Sequence, residues 1–278
     1  MKIGVIGGSG IGKLKGLEAI EDLSIETPFG ATSSLINKYK IGNAEFFCLP
    51  RHGDGHTISP SEINYRANIY ALKSLGVKSI ISISAVGSLR EDLGPGTFFL
   101  PDQFIDWTKG IRKRTFFEDG IVGHISCALP INPFLSEEIW QTCNELNLKV
   151  KRGGSYICIE GPQFSSKAES AIYRNFGASV IGMTNIPEAY LANEASIAYA
   201  TLAMVTDFDC WKETPCTVEE ILKVMNINNE NAMRVVQEII PRLHELENFS
   251  VQNAESSIMS SRKNLTQRQT EILNVLLK

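Results

Sequence analysis

The sequence predicts a single α/β domain with a mixed central β-sheet flanked by helices, followed by a short C-terminal appendage. Two observations lead to this fold class. Short runs rich in β-branched residues alternate with longer segments whose apolar residues recur at helical spacing, as strands and helices do in α/β domains. The chain has 278 residues, of which 43% are hydrophobic, so it is long enough for one large domain or two small ones.

Short β-branched runs bounded by Gly, Pro or Asn indicate the strands of the first half of the chain. We predict three of them, at residues 2–6, 34–41 and 45–49. Residues 77–84 are too apolar for a surface strand, which predicts a central strand with both faces covered.

One helix is predicted within this first half, at residues 60–76. Ser59 can cap its first turn, Pro60 fits that turn and Gly76 can end the helix. Apolar residues recur along one side of the segment, so this side is expected to pack on the sheet.

The second half continues the alternation. Strands are predicted at residues 156–159, 179–183 and 198–205, and helices at residues 166–176 and 187–195. A long helix at residues 218–246 closes the domain. We expect an interruption near residues 226–231, where Asn accumulates, because Asn disfavours helix interiors.

The composition changes after residue 247. Ser, Asn and Gln predominate in residues 248–264, which indicates a linker, and residues 265–277 have the pattern of a short amphipathic helix. The predicted organisation is a domain of residues 1–247, a linker at 248–264 and a helical tail of unknown role at 265–278.

Charge and composition argue against several classes of protein. Lys and Arg number 27 and Asp and Glu 31, a net charge of −4, whereas a dedicated nucleic-acid binder carries a basic footprint. No apolar run reaches the roughly 18 residues of a transmembrane helix, and the N-terminus enters a strand directly, which favours a cytoplasmic protein. The six Cys are dispersed and only four His are present, so we expect reduced thiols and no metal site.

The first candidate site is the Gly-rich turn after the first strand. Gly7-x-x-x-x-Gly12-Lys13 imitates a nucleotide P-loop, but Leu14 stands where a hydroxyl should hold Mg²⁺, and the last Gly of a dinucleotide fingerprint is missing. Either backbone N–H groups and the Ser9 hydroxyl cradle one phosphate, or the turn binds nothing.

The second candidate site is the loop of residues 51–57, which follows a strand, where open α/β sheets bind their ligands. Arg51 can offer a bidentate fork to phosphate, and His52 can donate beside it. His52 and His56 also resemble a metal pair, but no third ligand is near. A phosphate contact and a solvated turn both remain open.

Small or polar residues follow further strands. Ser84 and Ala85 leave the most apolar strand, where a ligand could approach the backbone closely, and Met183 and Thr184 leave another. A tight helix–sheet contact would explain the small residues equally well. Phe164 could stack on a ring or belong to the core.

Asp207 and Asp209 lie at the end of the strand predicted at residues 198–205. If the strand continues, both carboxylates project to one side, and their repulsion raises one pKa. A neutral acid would then lie beside an ionised acceptor, which suits general acid catalysis. The alternative is a capping turn before the next helix.

Many of these motifs occur together in one known family. The motifs are Gly-Val-Ile-Gly-Gly-Ser-Gly at residues 4–10, Arg51-His52-Gly53, Asn64-Tyr65-Arg66-Ala67-Asn68-Ile69, Gly87-Ser88-Leu89-Arg90, Asp102-Gln103-Phe104-Ile105-Asp106, Glu160-Gly161-Pro162 with Phe164-Ser165-Ser166, Met183-Thr184 with Pro187-Glu188, and Thr206-Asp207-Phe208-Asp209-Cys210-Trp211-Lys212-Glu213. With this set, residues 1–247 resemble the methylthioadenosine phosphorylases of the purine nucleoside phosphorylase superfamily.

The resemblance implies roles for individual residues. Phosphate would be bound by Ser9, Arg51, His52, Ser84, Ala85 and Thr184. Met183 would lie against the ribose, Phe164 and Ser165 near the base, and the segment Asp207, Phe208 and Asp209 at the adenine edge, with the two Asp residues catalytic. The methylthio end would meet Val218 and His124, the latter from a neighbouring subunit.

The implied reaction is phosphorolysis of 5′-methylthioadenosine to adenine and 5-methylthioribose 1-phosphate, with inorganic phosphate as co-substrate and no cofactor. A homotrimer or homohexamer is implied as well. Two alternatives remain: a phosphorylase for adenosine or 6-oxopurine nucleosides, and a nucleoside-sensing regulator with a DNA-contacting tail. The Asp207 and Asp209 pair disfavours a 6-oxopurine substrate, and the acidic net charge disfavours the regulator.

Overall fold

A computed structural model of the chain describes residues 1–8, 17–212, 217–247 and 249–278. In these ranges eleven strands form one sheet. The strands are β1 (Lys2–Gly7), β2 (Glu18–Leu23), β3 (Ile36–Ile41), β4 (Ala44–Pro50), β5 (Val77–Ser88), β6 (Phe98–Leu100), β7 (Gln103–Trp107), β8 (Val150–Arg152), β9 (Ser155–Ile159), β10 (Ala178–Gly182) and β11 (Ala198–Asp207).

Helices cover the sheet. They are α1 (Tyr65–Ser74), α2 (Pro133–Glu145), α3 (Lys167–Asn175), α4 (Asn185–Glu194), α5 (Val218–Glu245) and α6 (Gln267–Leu276). Among the described residues no helix is both long and apolar enough to span a bilayer. The mixed sheet with flanking helices confirms the predicted fold class.

β5 is the central strand. It pairs in parallel with β1 on one side and with β11 on the other, and its last residues pair with β10 in antiparallel orientation. β4 also runs parallel to β1. The carboxyl ends of β1, β4, β5 and β11 therefore meet at one edge of the sheet, where open α/β folds bind ligands.

α1 begins later than the sequence predicts. The helix starts at Tyr65, because the Asn64 side chain accepts a hydrogen bond from the Ala67 N–H and caps it. Ser59 and Glu62 instead close a separate turn, in which the Ser59 N–H donates to the Glu62 carboxylate. The predicted cap at Ser59 is therefore wrong.

The interruption expected in the long C-terminal helix is also wrong. α5 runs from Val218 to Glu245 without a break. Asn228 is buried in it, and its side-chain amide donates to the Val205 carbonyl at 3.0 Å. Because this amide donates to the end of β11, it does not compete with the hydrogen bonds of the helical backbone.

The C-terminal segment packs on the rest of the protein, whereas its composition indicated a linker. Phe249, Ile258 and Leu265 pack against the core cluster, and α6 buries Ile272, Leu273 and Leu276 against it. Apolar residues at wide spacing in a polar segment make these contacts, and such a pattern has no helical or strand period. That residues 1–247 fold without this segment stays a prediction.

The same segment holds the loop before α2. Ile258 forms a β-bridge with Gly123, the Met259 N–H donates to the Val122 carbonyl at 2.8 Å, and the His124 N–H donates to the Ser257 carbonyl at 2.9 Å. The position of the His124 backbone thus depends on the C-terminal segment.

Candidate active site

A cavity of about 330 Å³ opens at the carboxyl ends of the central strands. Most of the predicted site residues line it, namely Arg51, His52, Ser84, Ala85, Phe164, Ser165, Met183, Thr184, Asp207 and Asp209. They come from five separate segments of the chain, so the fold itself brings them together. Ser9 and the side chain of Val218 lie outside the described parts of the structure.

Two predicted residues do not line this cavity. The Phe208 ring packs edge-on against Trp211, with ring centroids 5.6 Å apart. His124 is exposed on the surface. Within this chain, neither residue is placed to touch a ligand in the cavity.

Arg51 follows β4 and is almost completely enclosed. Its guanidinium makes a bidentate ion pair with Glu188 of α4, with N–O distances of 2.9 and 2.7 Å. Burial alone would lower the pKa of Arg51, but the Glu188 carboxylate outweighs it and raises this pKa, so the side chain stays charged. The predicted phosphate ligand is thus held by a buried carboxylate.

His52 lies beside Arg51 in its neutral form. Burial, followed by the Arg51 charge, lowers the pKa of His52 to about 4. Its Nδ1 is 2.9 Å from the Ile58 carbonyl, which can only accept, so Nδ1 carries the proton. Nε2 then has no proton to donate to phosphate, contrary to the prediction from the sequence, and can only accept from a phosphate hydroxyl. The ring also stacks on that of His56, with centroids 4.2 Å apart.

Hydroxyl and backbone groups complete this part of the cavity. Ser84 and Ala85 lie inside β5, which continues to Ser88, so the prediction that they follow the strand is wrong. The Ser84 hydroxyl is 3.2 Å from the Tyr156 hydroxyl, and Ala85 is exposed to the cavity. Thr184 precedes α4, and its side chain makes no capping hydrogen bond. Such small polar groups can donate to a phosphate oxygen.

Asp207 is the last residue of β11 and pairs with Gly87 of β5. Its carboxylate accepts from the Thr206 hydroxyl at 2.7 Å and from the Asp209 N–H at 2.9 Å. Burial raises the pKa of Asp207, and the Asp209 charge adds to the rise. The predicted rise is confirmed, but burial is its main cause and repulsion a smaller one.

Asp209 reaches the cavity by a different route from the predicted one. β11 has ended, and Asp209 starts a short 3-10 helix, Asp209–Trp211, with a φ of +44°. Gly87 of β5 lies beside both residues: a Cβ there would be in ordinary contact with Asp207 Oδ2 and Asp209 Cβ, each at 3.4 Å, and closer to Ile181 Cγ2, at 3.1 Å. Burial raises the pKa of Asp209, and the nearby Ser170 hydroxyl opposes that rise.

The sequence did not indicate several residues of the site. Ile221, Met225 and Asn229 of α5 line one wall of the cavity. Arg112 donates to the carbonyls of Met183 and Ile186, each at 2.7 Å, and so fixes the segment after β10. Only the helical apolar spacing of α5 gave a signal, and it did not show which side faces a ligand.

A metal site is not found in the parts of the chain that the structure describes: no three His, Cys, Asp or Glu side chains are grouped to hold an ion. The cavity combines a buried arginine, a neutral histidine, small hydroxyl groups and two partly buried carboxyl groups. Such a set can bind an anion beside a group that accepts a proton from Asp207.

The sequence pattern that defines the phosphorylase superfamily matches residues 2–241 of the chain, and the protein belongs to this superfamily. Its relatives include S-methyl-5′-thioadenosine phosphorylases. The one from Hyperthermus butylicus is 52% identical over 242 residues, which cover 87% of this chain and 88% of that protein. The one from Geobacter sulfurreducens is 48% identical over 243 residues, with coverages of 87% and 85%.

Solved structures agree with this relationship. A methylthioadenosine phosphorylase from an Antarctic soil metagenomic library superimposes with a TM-score of 0.92 at 41% identity, covering 99% of this chain and 98% of that chain. The methylthioadenosine phosphorylase of Schistosoma mansoni in complex with adenine gives a TM-score of 0.84 at 34% identity, covering 89% and 93%. The match of the first structure includes the C-terminal segment.

Proposed function

We propose that the protein is a 5′-methylthioadenosine phosphorylase, which transfers the 5-methylthioribosyl group from adenine to inorganic phosphate. The observation that carries this proposal is the joint placement of Asp207, Asp209, Arg51 and Thr184 around one cavity. The relationship to enzymes of that name, at 48% and 52% sequence identity, supports it.

Inorganic phosphate is the nucleophile in this reaction, so no side chain has to be activated. Arg51, His52, Ser84, Ala85 and Thr184 bind it, together with Ser9 of the Gly-rich turn. The sugar passes through an oxocarbenium-like state, which the phosphate charge stabilises. Cleavage of the N-glycosidic bond leaves an electron pair on adenine, and a proton from Asp207 at N7 neutralises it.

Substrate recognition is assigned to the remaining residues. Asp209 accepts a hydrogen bond from the 6-amino group, a 6-oxo group would meet its carboxylate unfavourably, and Phe164 and Ser165 contact the base. Met183 contacts the ribose and Val218 the methylthio group. Phe208 acts through its packing on Trp211.

The assembly proposed is a homotrimer or homohexamer in the cytoplasm that uses phosphate as co-substrate and no other cofactor. In this assembly His124, which is exposed outside its own cavity, would reach the methylthio group of a substrate bound by a neighbouring subunit.

A base-release assay tests the proposal. Purified protein is incubated with methylthioadenosine, adenosine, methylthioinosine or inosine, each with and without phosphate. We expect adenine from methylthioadenosine at the highest kcat/KM, only when phosphate is present, with a sugar 1-phosphate as the second product. Release of base without phosphate would indicate a hydrolase, and preference for inosine would indicate a 6-oxopurine phosphorylase.

A further inference from the structure

The guanidinium of Arg51 is held in place by hydrogen bonds to three residues. Its side chain is 1% exposed. Nε and Nη2 donate to the two oxygens of Glu188, Nη2 also donates to the Ser82 hydroxyl at 2.6 Å, and Nη1 donates to the Ile83 carbonyl at 2.9 Å. An arginine has five N–H donors. Among the described residues, four of them have acceptors, which leaves one Nη1 hydrogen for a ligand.

Glu188 is itself fixed by neutral donors. Its Oε1 accepts from the Ser82 hydroxyl at 2.7 Å and from the Tyr199 hydroxyl at 2.8 Å. Asn185 donates to both of these hydroxyl oxygens, at 2.9 and 2.6 Å. The ends and interiors of β4, β5, α4 and β11 thus converge on one carboxylate, and each of these side chains is fully buried.

We propose that Glu188 is a positioning residue for the phosphorolysis: it aims the single remaining Nη1 hydrogen of Arg51 at the phosphate. The inference rests on the proposed function and adds to it a residue that does not touch the substrate. A guanidinium held from two sides needs no reorganisation when phosphate arrives, and this preorganisation is what strengthens a polar contact in a binding site.

Glu188 also cancels the formal charge of Arg51. With His52 neutral, the described phosphate-binding residues then carry no net positive charge. The contribution of Arg51 to phosphate binding is therefore directional, one hydrogen bond of fixed geometry, and a change in aim should weaken it.

The decisive variant is Glu188→Gln, which keeps the size of the side chain but places an amide donor against the N–H groups of Arg51. We expect the KM for phosphate to rise about 10-fold or more, while the KM for methylthioadenosine changes far less. Arg51→Ala is a poorer test, because it would leave Glu188 buried without its cation.

Glu194→Gln is the matched control. Glu194 is the other buried glutamate of α4, does not line the cavity, and accepts from Thr115 and Phe116 instead. Its neutral isostere should leave the KM for phosphate unchanged. A fall in melting temperature with an unchanged phosphate KM in Glu188→Gln would overturn the proposal and make Glu188 a structural residue.

Tyr199→Phe keeps the test open if Glu188→Gln does not fold, because it removes one donor to Glu188 and leaves the ion pair in place. A phosphate KM about 3-fold higher supports the proposal, and an unchanged KM overturns it. The activity of the wild-type protein distinguishes failure of this proposal from failure of the proposed function. If the wild type shows no phosphate-dependent cleavage of methylthioadenosine, the proposed function itself is wrong.

Discussion

The two carboxyl groups of the cavity differ in their hydrogen-bond partners. Asp207 accepts hydrogen bonds from the Thr206 hydroxyl and the Asp209 N–H, whereas Asp209 lies near the Ser170 hydroxyl. Base choice should depend on Asp209, because an ionised carboxylate accepts from a 6-amino group and repels a 6-oxo group.

Asp209→Asn should therefore change substrate preference. An amide can donate to a 6-oxo group, so we expect kcat/KM for methylthioadenosine to fall about 100-fold or more and that for methylthioinosine to fall far less. Steady-state kinetics with both substrates measures the ratio. In the control Asp207→Asn, kcat/KM should fall for both substrates, since an amide delivers no proton to the leaving base. An equal fall for both substrates in Asp209→Asn would make Asp209 a structural residue of the turn.

The raised pKa of Asp207 predicts a pH dependence. In the proposed mechanism Asp207 acts in its protonated form, so kcat should be retained below the pKa of Asp207 and lost as the pH rises through it. The Thr206 hydroxyl donates to Asp207 and lowers this pKa. Thr206→Val keeps the shape of the side chain but removes that donor, so the alkaline fall of kcat should move to higher pH. A pH profile of kcat measures it, and movement to lower pH would contradict the assignment of Asp207 as the acid.

The sequence located the residues at strand ends because parallel strands place their carboxyl ends at one edge. Arg51 and Asp207 needed only that rule, whereas Thr184 follows β10, which runs antiparallel to β5. It could not identify Glu188 as the partner of Arg51, since the two are 137 residues apart and no local pattern joins them. For the same reason, the sequence did not show that α5 forms one wall of the cavity.

At the scale of elements, α6 and the segment before it add to the core. Leu276 is completely buried, whereas Met259 in the same segment is 72% exposed. Leu276→Ala should lower the free energy of unfolding by about 2–5 kcal/mol, because it removes buried methyl groups and leaves a cavity. Denaturant unfolding measures this loss, with Met259→Ala as a control that should unfold like the wild type.

A chain that ends at Glu247 should lose more stability than Leu276→Ala. Its composition predicts that it folds and keeps activity, but the buried contacts of Ile272, Leu273 and Leu276 lead us to expect a clear loss of stability. Its melting temperature measures this loss. Unfolding at the wild-type temperature would show that the tail is an appendage after all.

α4 ends in a carboxyl group that links stability to pH. Burial raises the pKa of Glu194 to about 7, although the Phe116 N–H and the Thr115 hydroxyl donate to it. The native state therefore favours the protonated form: this stabilisation is complete below the unfolded pKa near 4.5 and is lost as the pH rises to about 7. The loss is on the order of 3 kcal/mol.

Glu194→Gln should not show this loss. We expect the difference in unfolding free energy between variant and wild type to move in favour of the variant as the pH rises from about 4.5 to 7. Urea unfolding at several pH values measures it. If the unfolding free energies of variant and wild type change with pH in parallel, Glu194 titrates alike in the folded and unfolded states.

Long apolar strands were predicted from sequence, whereas the short strands and the helix α2 were not. β5 and β11 are apolar runs, and both were found with only their ends shifted. β6 and β8 have three residues each and take their conformation from pairing with β11 and with each other. Strands of that length carry too little pattern to be recognised, because sheet pairing and not propensity selects them.

At the scale of the whole molecule, the exposed His124 allows a test of the proposed oligomer. If His124 serves a neighbouring subunit, a chain with His124→Ala keeps an intact cavity, and a chain with Asp207→Asn still supplies His124. In a mixed oligomer some cavities then combine the Asp207 of one chain with the His124 of the other, and these are complete. Each variant alone should cleave methylthioadenosine poorly.

Co-expression of the two variants should therefore give more activity than the sum of the separate proteins. The matched control is a mixture of Asp207→Asn with Asp209→Asn. Both residues line the cavity of their own chain, so no combination of subunits restores a complete site and the activities should only add. Native mass spectrometry confirms that mixed oligomers form and shows whether they contain three or six chains. Mixed oligomers whose activity is only additive in the first pair would place His124 outside the active site.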